Sequence, residues 1–154
     1  MTEKFMWEIV NKITGFGGSM ALAGLGLKFL GKGSLRKVAV TLAAIGLFWL
    51  GGEMIKIGVA VPRPCWNPAT PSTVSCLESF SFPSGHVLAA VMAAIVVGLA
   101  TKSAKRWIWI LGGGWVIFVA ATRLLIGVHT WIDVLGGAVL GIVFGFLAWR
   151  KYYK

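Results

Sequence analysis

Five stretches of this chain are apolar over roughly the 20 residues that a helix needs to cross the hydrocarbon of a bilayer. They cover residues 13–30, 38–61, 84–101, 107–128 and 131–149. Only 13% of the 154 residues are charged and 57% are hydrophobic, whereas roughly a quarter of a soluble domain is charged. The predicted fold class is therefore all-α: an integral membrane helical bundle with five transmembrane helices, forming one domain over residues 1–154. The 13–30 stretch is the weakest, being glycine-rich and marginal in length. Residues 5–10 alternate apolar and charged side chains and predict a short N-terminal interfacial helix. Full insertion of that segment would make a sixth span, which its charges discourage. With Glu3, Lys4, Glu8 and Lys12 and no apolar run among them, the first residues do not read as a cleavable signal peptide.

Charge is sorted between the two ends of these spans. Lys28, Lys32, Arg36, Lys37, Lys102, Lys105, Arg106, Arg150, Lys151 and Lys154 fall on one side, with no acids. Lys4, Lys12, Lys56, Arg63 and Arg123 fall on the other, with Glu3, Glu8, Glu53, Glu78 and Asp133. The Lys/Arg excess assigns the first side, and with it the C-terminus, to the cytoplasm. The second side then faces outward. The basic loops are read as topology signals and contacts to anionic headgroups. No basic domain is present to bind nucleic acid.

The one long connection, 62–83, holds Pro62, Pro64, Pro68, Pro71 and Pro83 and reads as a loop. It also holds both cysteines, Cys65 and Cys76. On the outward side these are expected to form a disulfide, worth about 3 kcal/mol for a ring of about a dozen residues; two free thiols are the alternative. In the last stretch Gly137, Gly141 and Gly145 recur at four-residue spacing. That face allows close helix packing, expected within the bundle rather than in a homodimer.

Ionisable residues near membrane segments are costly and mark function. Here they come in three groups on the outward side. Lys56 and Arg63 lie seven apart beside Pro64, and an ammonium with a guanidinium fork suits phosphoryl oxygens. Snorkelling to headgroups would also account for Lys56. Pro83, Ser84, Gly85 and His86 precede an apolar helix. A helix N-terminus with glycine admits an anion to its N–H groups, although capping alone would also explain Ser84. Arg123, His129 and Asp133 follow. A carboxylate four residues from a histidine can fix its tautomer and leave the other nitrogen free to attack, or can lock two helices together.

Lys56-x6-Arg63-Pro64, Pro83-Ser84-Gly85-His86 and Arg123-x5-His129-x3-Asp133, in this order, resemble the three-part signature of the type 2 phosphatidic acid phosphatase superfamily, which includes bacterial membrane lipid phosphatases. Thr122 stands where the family usually has serine. The resemblance implies that His129 is the nucleophile and forms a phosphohistidine. It implies that Asp133 orients His129 and that His86 protonates the leaving oxygen. Lys56, Arg63, Ser84, Gly85 and Arg123 would hold the phosphoryl oxygens, and water would resolve the intermediate without a metal or other cofactor. Implied substrates are envelope lipids: lipid A 1-phosphate, phosphatidylglycerol phosphate, undecaprenyl diphosphate or phosphatidic acid. A lipid phosphotransferase of the same superfamily and a non-catalytic lipid-binding or transport protein are the alternatives. The residues do not fix an oligomeric state.

Overall fold

A computed structural model describes residues 3–30, 34–70, 72–101 and 106–152. Helix α1 covers Glu3–Ile13 and α2 covers Phe16–Leu25, continued by a π-helical turn over Gly26–Leu30. Helix α3 is Leu35–Val59, α4 Gly85–Ala100, α5 Arg106–Leu125 and α6 Trp131–Tyr152. A 3-10 turn at Pro64–Trp66 sits in the connection between α3 and α4, and no strand occurs among the described residues. The helical class expected from the apolar runs is what forms. Leu35–Val59, Arg106–Leu125 and Trp131–Lys151 are long and apolar enough to cross a membrane; Gly85–Ala100 is apolar but shorter. The expected 13–30 span begins only at Phe16, after a break at residues 14–15, and changes from α- to π-helical at Gly26. Glycine supplies little to hold one continuous helix there.

Local signals explain the helix ends. Ser34 caps α3 by accepting a bond from the Lys37 amide at 3.3 Å. Ala60 closes α3 in the left-handed region at φ 54°, its N–H bonded to the Lys56 carbonyl, and turns the chain toward Arg63. Gly127, at φ 75°, makes the corresponding turn between α5 and α6.

Helix α4 is the hub and packs against α2, α3, α5 and α6. Its Val87, Leu88, Ala90, Met92 and Val96 are fully buried. The three glycines of α6 lie directly against it. A Cβ on Gly137 would fall 2.6 Å from the Ser84 carbonyl oxygen, one on Gly141 2.7 Å from Val91 Cβ, and one on Gly145 3.1 Å from Ile95 Cβ. The stripe thus serves packing within the bundle and brings α4 and α6 together in parallel. Gly52 of α3 meets Leu88, and Gly112 of α5 meets Ala94. Those two helices run opposite to α4. Outward faces of α3, α5 and α6 stay apolar, with Leu47, Ile57, Ile117, Ile132 and Val139 exposed, as suits contact with lipid rather than water.

This directionality gathers the start of α2, the end of α3, the start of α4, the end of α5 and the start of α6 at one end. Lys28, Arg36, Lys37, Arg106, Arg150 and Lys151 belong to the helix termini of the other end. Lys32, Lys102, Lys105 and Lys154 lie outside the described residues.

Candidate active site

Asp133 is fixed by the start of its own helix. Its Oδ2 accepts bonds from Thr130 N at 2.6 Å and Thr130 Oγ1 at 2.9 Å, while Asp133 N reaches back to Thr130 Oγ1 at 3.4 Å. This is the reciprocal capping box that opens a helix. The same Oδ2 accepts a 2.6 Å bond from Ser81 Oγ. His129 Nδ1 stands 3.6 Å from Asp133 Oδ2 and 3.3 Å from Ser81 Oγ. The first distance is too long for a hydrogen bond, so the carboxylate–imidazole link expected from the spacing is completed by Ser81. Both His129 and Asp133 are buried, and Ser81 is fully so.

The other ring nitrogen of His129 faces Arg63, with Nη1 3.2 Å from Nε2. A guanidinium only donates. Nε2 therefore presents its lone pair, and Nδ1 carries the proton toward Ser81 and Asp133. Burial pushes the His129 pKa below its ordinary value; the nearby Asp133 carboxylate opposes this, and the charges of Arg63 and Lys56 reinforce it. The ring is neutral near pH 7 and free to act as a nucleophile.

Arg63 is held from both sides. Its Nε donates to the Ser79 carbonyl at 2.7 Å, Nη2 to Ser79 Oγ at 3.0 Å and Nη1 to the Val128 carbonyl at 3.1 Å. It ties the 60–84 loop to the turn bearing His129. The expected disulfide joins Cys65 and Cys76, with Cα atoms 6.0 Å apart, and clamps the loop between Arg63 and Ser79. Val74, Ile126 and Val128 pack with Cys65 and Trp7, so α1 lies against the same region.

Lys56 is buried and paired with Glu53, Nζ to Oε1 at 2.7 Å. With Trp49 these residues form one face of α3, at steps of four and three. They close on Gly85: a Cβ there would lie 2.6 Å from Glu53 Oε1, 3.1 Å from Trp49 Nε1 and 3.3 Å from Lys56 Nζ. A methyl at this position would push the Glu53 carboxylate aside. Ser84 sits at the N-cap of α4 without making a side-chain cap bond. Its hydroxyl and the Trp49 indole N–H are both buried with no partner among the described residues. Ser84 N donates to the Asp133 carbonyl at 3.0 Å, which ties the start of α4 to that of α6.

His86 occupies the first turn of α4, and Lys56, Arg63, Arg123 and His129 all lie within electrostatic range of its ring. A Cβ on Gly15 would be 3.9 Å from His86 Nε2. Arg123, in the last turn of α5, is buried and bonded to Asn11 Oδ1, to Thr14 Oγ1 at 2.6 Å and to Thr122 Oγ1 at 3.3 Å. All eight chemically active positions singled out from the sequence thus lie at one end of the bundle. Among the described residues, no three His, Cys, Asp or Glu side chains converge as a metal site.

Sequence reasoning missed several members. Glu53 had a usable signal in its three-residue step to Lys56, and Thr130-x-x-Asp133 was readable as a capping box. Ser79, Ser81, Asn11, Thr14 and Trp49 carried no local signal, because their roles depend on tertiary contacts.

Residues 34–154 match the PAP2 superfamily. An undecaprenyl-diphosphatase of Sulfolobus acidocaldarius is 33% identical over 118 residues, covering 73% of this chain and 54% of that protein. Phosphatidylglycerophosphatase B of Bacillus subtilis is 30% identical over 152 residues, covering 91% of this chain and 72% of that one. Sphingosine-1-phosphate phosphatase 2 of Homo sapiens is 29% identical over 105 residues, covering 64% of this chain and 26% of the human protein. The chain thus spans about half the length of the archaeal relative and about a quarter of the human one. In structure it is similar to a transmembrane PAP2-type phosphatidylglycerolphosphate phosphatase from Bacillus subtilis, with a TM-score of 0.70 at 25% identity, over 96% of this chain and 77% of that one. A family match running from the start of α3 past the end of α6, laid over a site that unites all three motifs, means that this integral membrane chain belongs to the PAP2 superfamily.

Proposed function

We propose that this protein is a lipid phosphatase that works through a phosphohistidine at His129. One observation carries the reading: Nε2 presents a lone pair toward Arg63 at 3.2 Å, while its opposite nitrogen is backed by Ser81 and Asp133. Lys56 and Arg123 add two buried cations, and Ser84 Oγ and Trp49 Nε1 are buried polar groups in want of partners. Unpaired buried polar groups are costly, and phosphoryl oxygens suit donors of this kind.

In the first step Nε2 attacks phosphorus and the bond from phosphorus to the lipid oxygen breaks. His86 gives that oxygen a proton. The positive charge on the ring is countered by Asp133 through Ser81. In the second step His86 takes a proton from water, whose oxygen attacks phosphorus, and the P–N bond breaks to release inorganic phosphate and free His129. Preorganised donors around the developing charge are the main catalytic device, each worth on the order of 10²–10³ in rate.

The substrate in this reading is an amphiphile whose terminal phosphate lies at headgroup depth. Relatives named for undecaprenyl diphosphate and phosphatidylglycerophosphate favour those two over lipid A 1-phosphate and phosphatidic acid. Helix α2 with its π turn, together with α3 to α6, makes five spans, and α1 lies in the interface. The site faces outward from a bacterial inner membrane and the C-terminus the cytoplasm. Residues 1–154 act as a single domain.

Purified protein in micelles should release inorganic phosphate from at least one of these lipids. Turnover should persist in EDTA and be blocked by orthovanadate. No release from any of the four lipids, or turnover abolished by EDTA, would refute the proposal.

A further inference from the structure

Helix α1 carries three separate stripes. Phe5, Met6, Ile9 and Ile13 are exposed and apolar. Lys4, Glu8 and Lys12 form a charged stripe at four-residue steps. Trp7, Asn11 and, just past the helix end, Thr14 turn inward: Trp7 packs on Val74, Ile126 and Val128, while Asn11 and Thr14 bond Arg123. A Cβ on the next residue, Gly15, would lie 3.9 Å from His86 Nε2. The N-terminal segment is therefore built into the site, although it lies ahead of the family match that begins at residue 34.

The partners of Arg123 have a specific character. Nε and Nη2 point at Thr122 Oγ1, Nη2 also donates to Thr14 Oγ1, and Nη1 donates to Asn11 Oδ1. Of five guanidinium N–H donors, one on Nη1 is left over. Both hydroxyls are themselves committed, Thr14 Oγ1 to the Val10 carbonyl at 2.7 Å and Thr122 Oγ1 to the Val119 carbonyl at 2.7 Å. Their free lone pairs can therefore only accept. Every one of these partners is neutral. A carboxylate would hold the guanidinium equally well but would cancel its charge. Neutral acceptors fix the fork and leave the full positive charge for an anion.

We propose that Asn11 and Thr14 are positioning residues for Arg123, so that the N-terminal interfacial helix completes the phosphate site. This rests on the reading of Arg123 as a phosphate ligand. Full-length protein in detergent micelles would be titrated with orthovanadate by calorimetry, alongside its thermal unfolding midpoint. Thr14→Val keeps shape and removes the acceptor; Thr14→Ser restores it. Asn11→Ala serves as the second variant if Thr14→Val does not fold. Each loss variant should weaken orthovanadate binding about tenfold, the effect of one hydrogen bond to a charged group. Thr14→Ser should bind like wild type, and so should Lys12→Ala on the charged stripe. Wild-type affinity in folded Thr14→Val or Asn11→Ala would overturn the proposal, whether or not the unfolding midpoint falls. So would a Thr14→Ser variant as weak as Thr14→Val. Wild-type protein that binds orthovanadate in this way yet releases phosphate from no lipid would instead overturn the phosphatase reading and leave the positioning role standing.

Discussion

Replacing Asp133 with asparagine isolates its charge from its geometry. An amide oxygen in place of Oδ2 can still accept from Thr130 N at 2.6 Å and Ser81 Oγ at 2.6 Å, so the capping box and the serine bridge survive. What disappears is a negative charge 3.6 Å from His129 Nδ1. Opposite unit charges at 3.6 Å attract by about 4.6 kcal/mol at an effective dielectric of about 20. In the proposed mechanism that attraction is present only when phosphoryl transfer makes the ring cationic, because burial keeps the resting imidazole neutral. It therefore acts on the transition state and the intermediate, not on bound substrate. At about 1.4 kcal/mol per tenfold, Asp133→Asn should lower kcat by about 10³ and leave KM near wild type. Phosphate release from a saturating lipid phosphate in micelles measures this, with the unfolding midpoint as a check on folding. A variant within tenfold of wild type would show that the carboxylate charge does not stabilise a cationic ring.

Three further outcomes follow from the geometry. Gly85→Ala places a methyl 2.6 Å from Glu53 Oε1 and 3.3 Å from Lys56 Nζ; it should fold but lose on the order of 10² in kcat/KM, and wild-type rates would show that close approach at Gly85 is dispensable. Because burial depresses the His129 pKa, the acid limb of kcat/KM should fall below about 6.5, the free imidazole value. The stability that the neutral ring contributes is complete above that value and is lost as pH falls toward the folded pKa, since the unfolded chain takes up the proton first; an acid limb at or above the free value contradicts this. Reducing Cys65–Cys76 should speed hydrogen exchange across the 60–84 loop and raise KM through a loosened Arg63, while α4 and α6 exchange as before. Uniform acceleration across the bundle would contradict a local role for the disulfide.

The sequence made the helices legible because lipid-facing apolar runs of span length leave few alternatives. It made the candidate site legible because its ionisable residues keep fixed local spacings. His129 and Asp133 are four apart, Lys56 and Arg63 seven apart, and Ser84 to His86 are contiguous. The disulfide was legible because both cysteines fall in one loop that the charge pattern predicts to face outward. Residues that act across the fold were not. Ser81 bridges His129 and Asp133 from 48 and 52 positions away. Asn11 and Thr14 reach Arg123 from 112 and 109 positions away. Nothing in the local pattern of α1 separates a stripe that merely packs from one that holds a guanidinium. The expected span over 13–30 starts at Phe16 and turns π-helical at Gly26 because apolarity measures the fit to lipid and not the regularity of a glycine-rich helix.

Trapping the intermediate tests the central claim most directly. Protein mixed with a lipid carrying a radiolabelled phosphate, quenched within a turnover and digested, should yield label that is acid-labile and base-stable, on the peptide containing His129. His129→Ala should carry none while keeping its fold. Label on any other residue, or rapid phosphate release from His129→Ala, would contradict nucleophilic attack by Nε2.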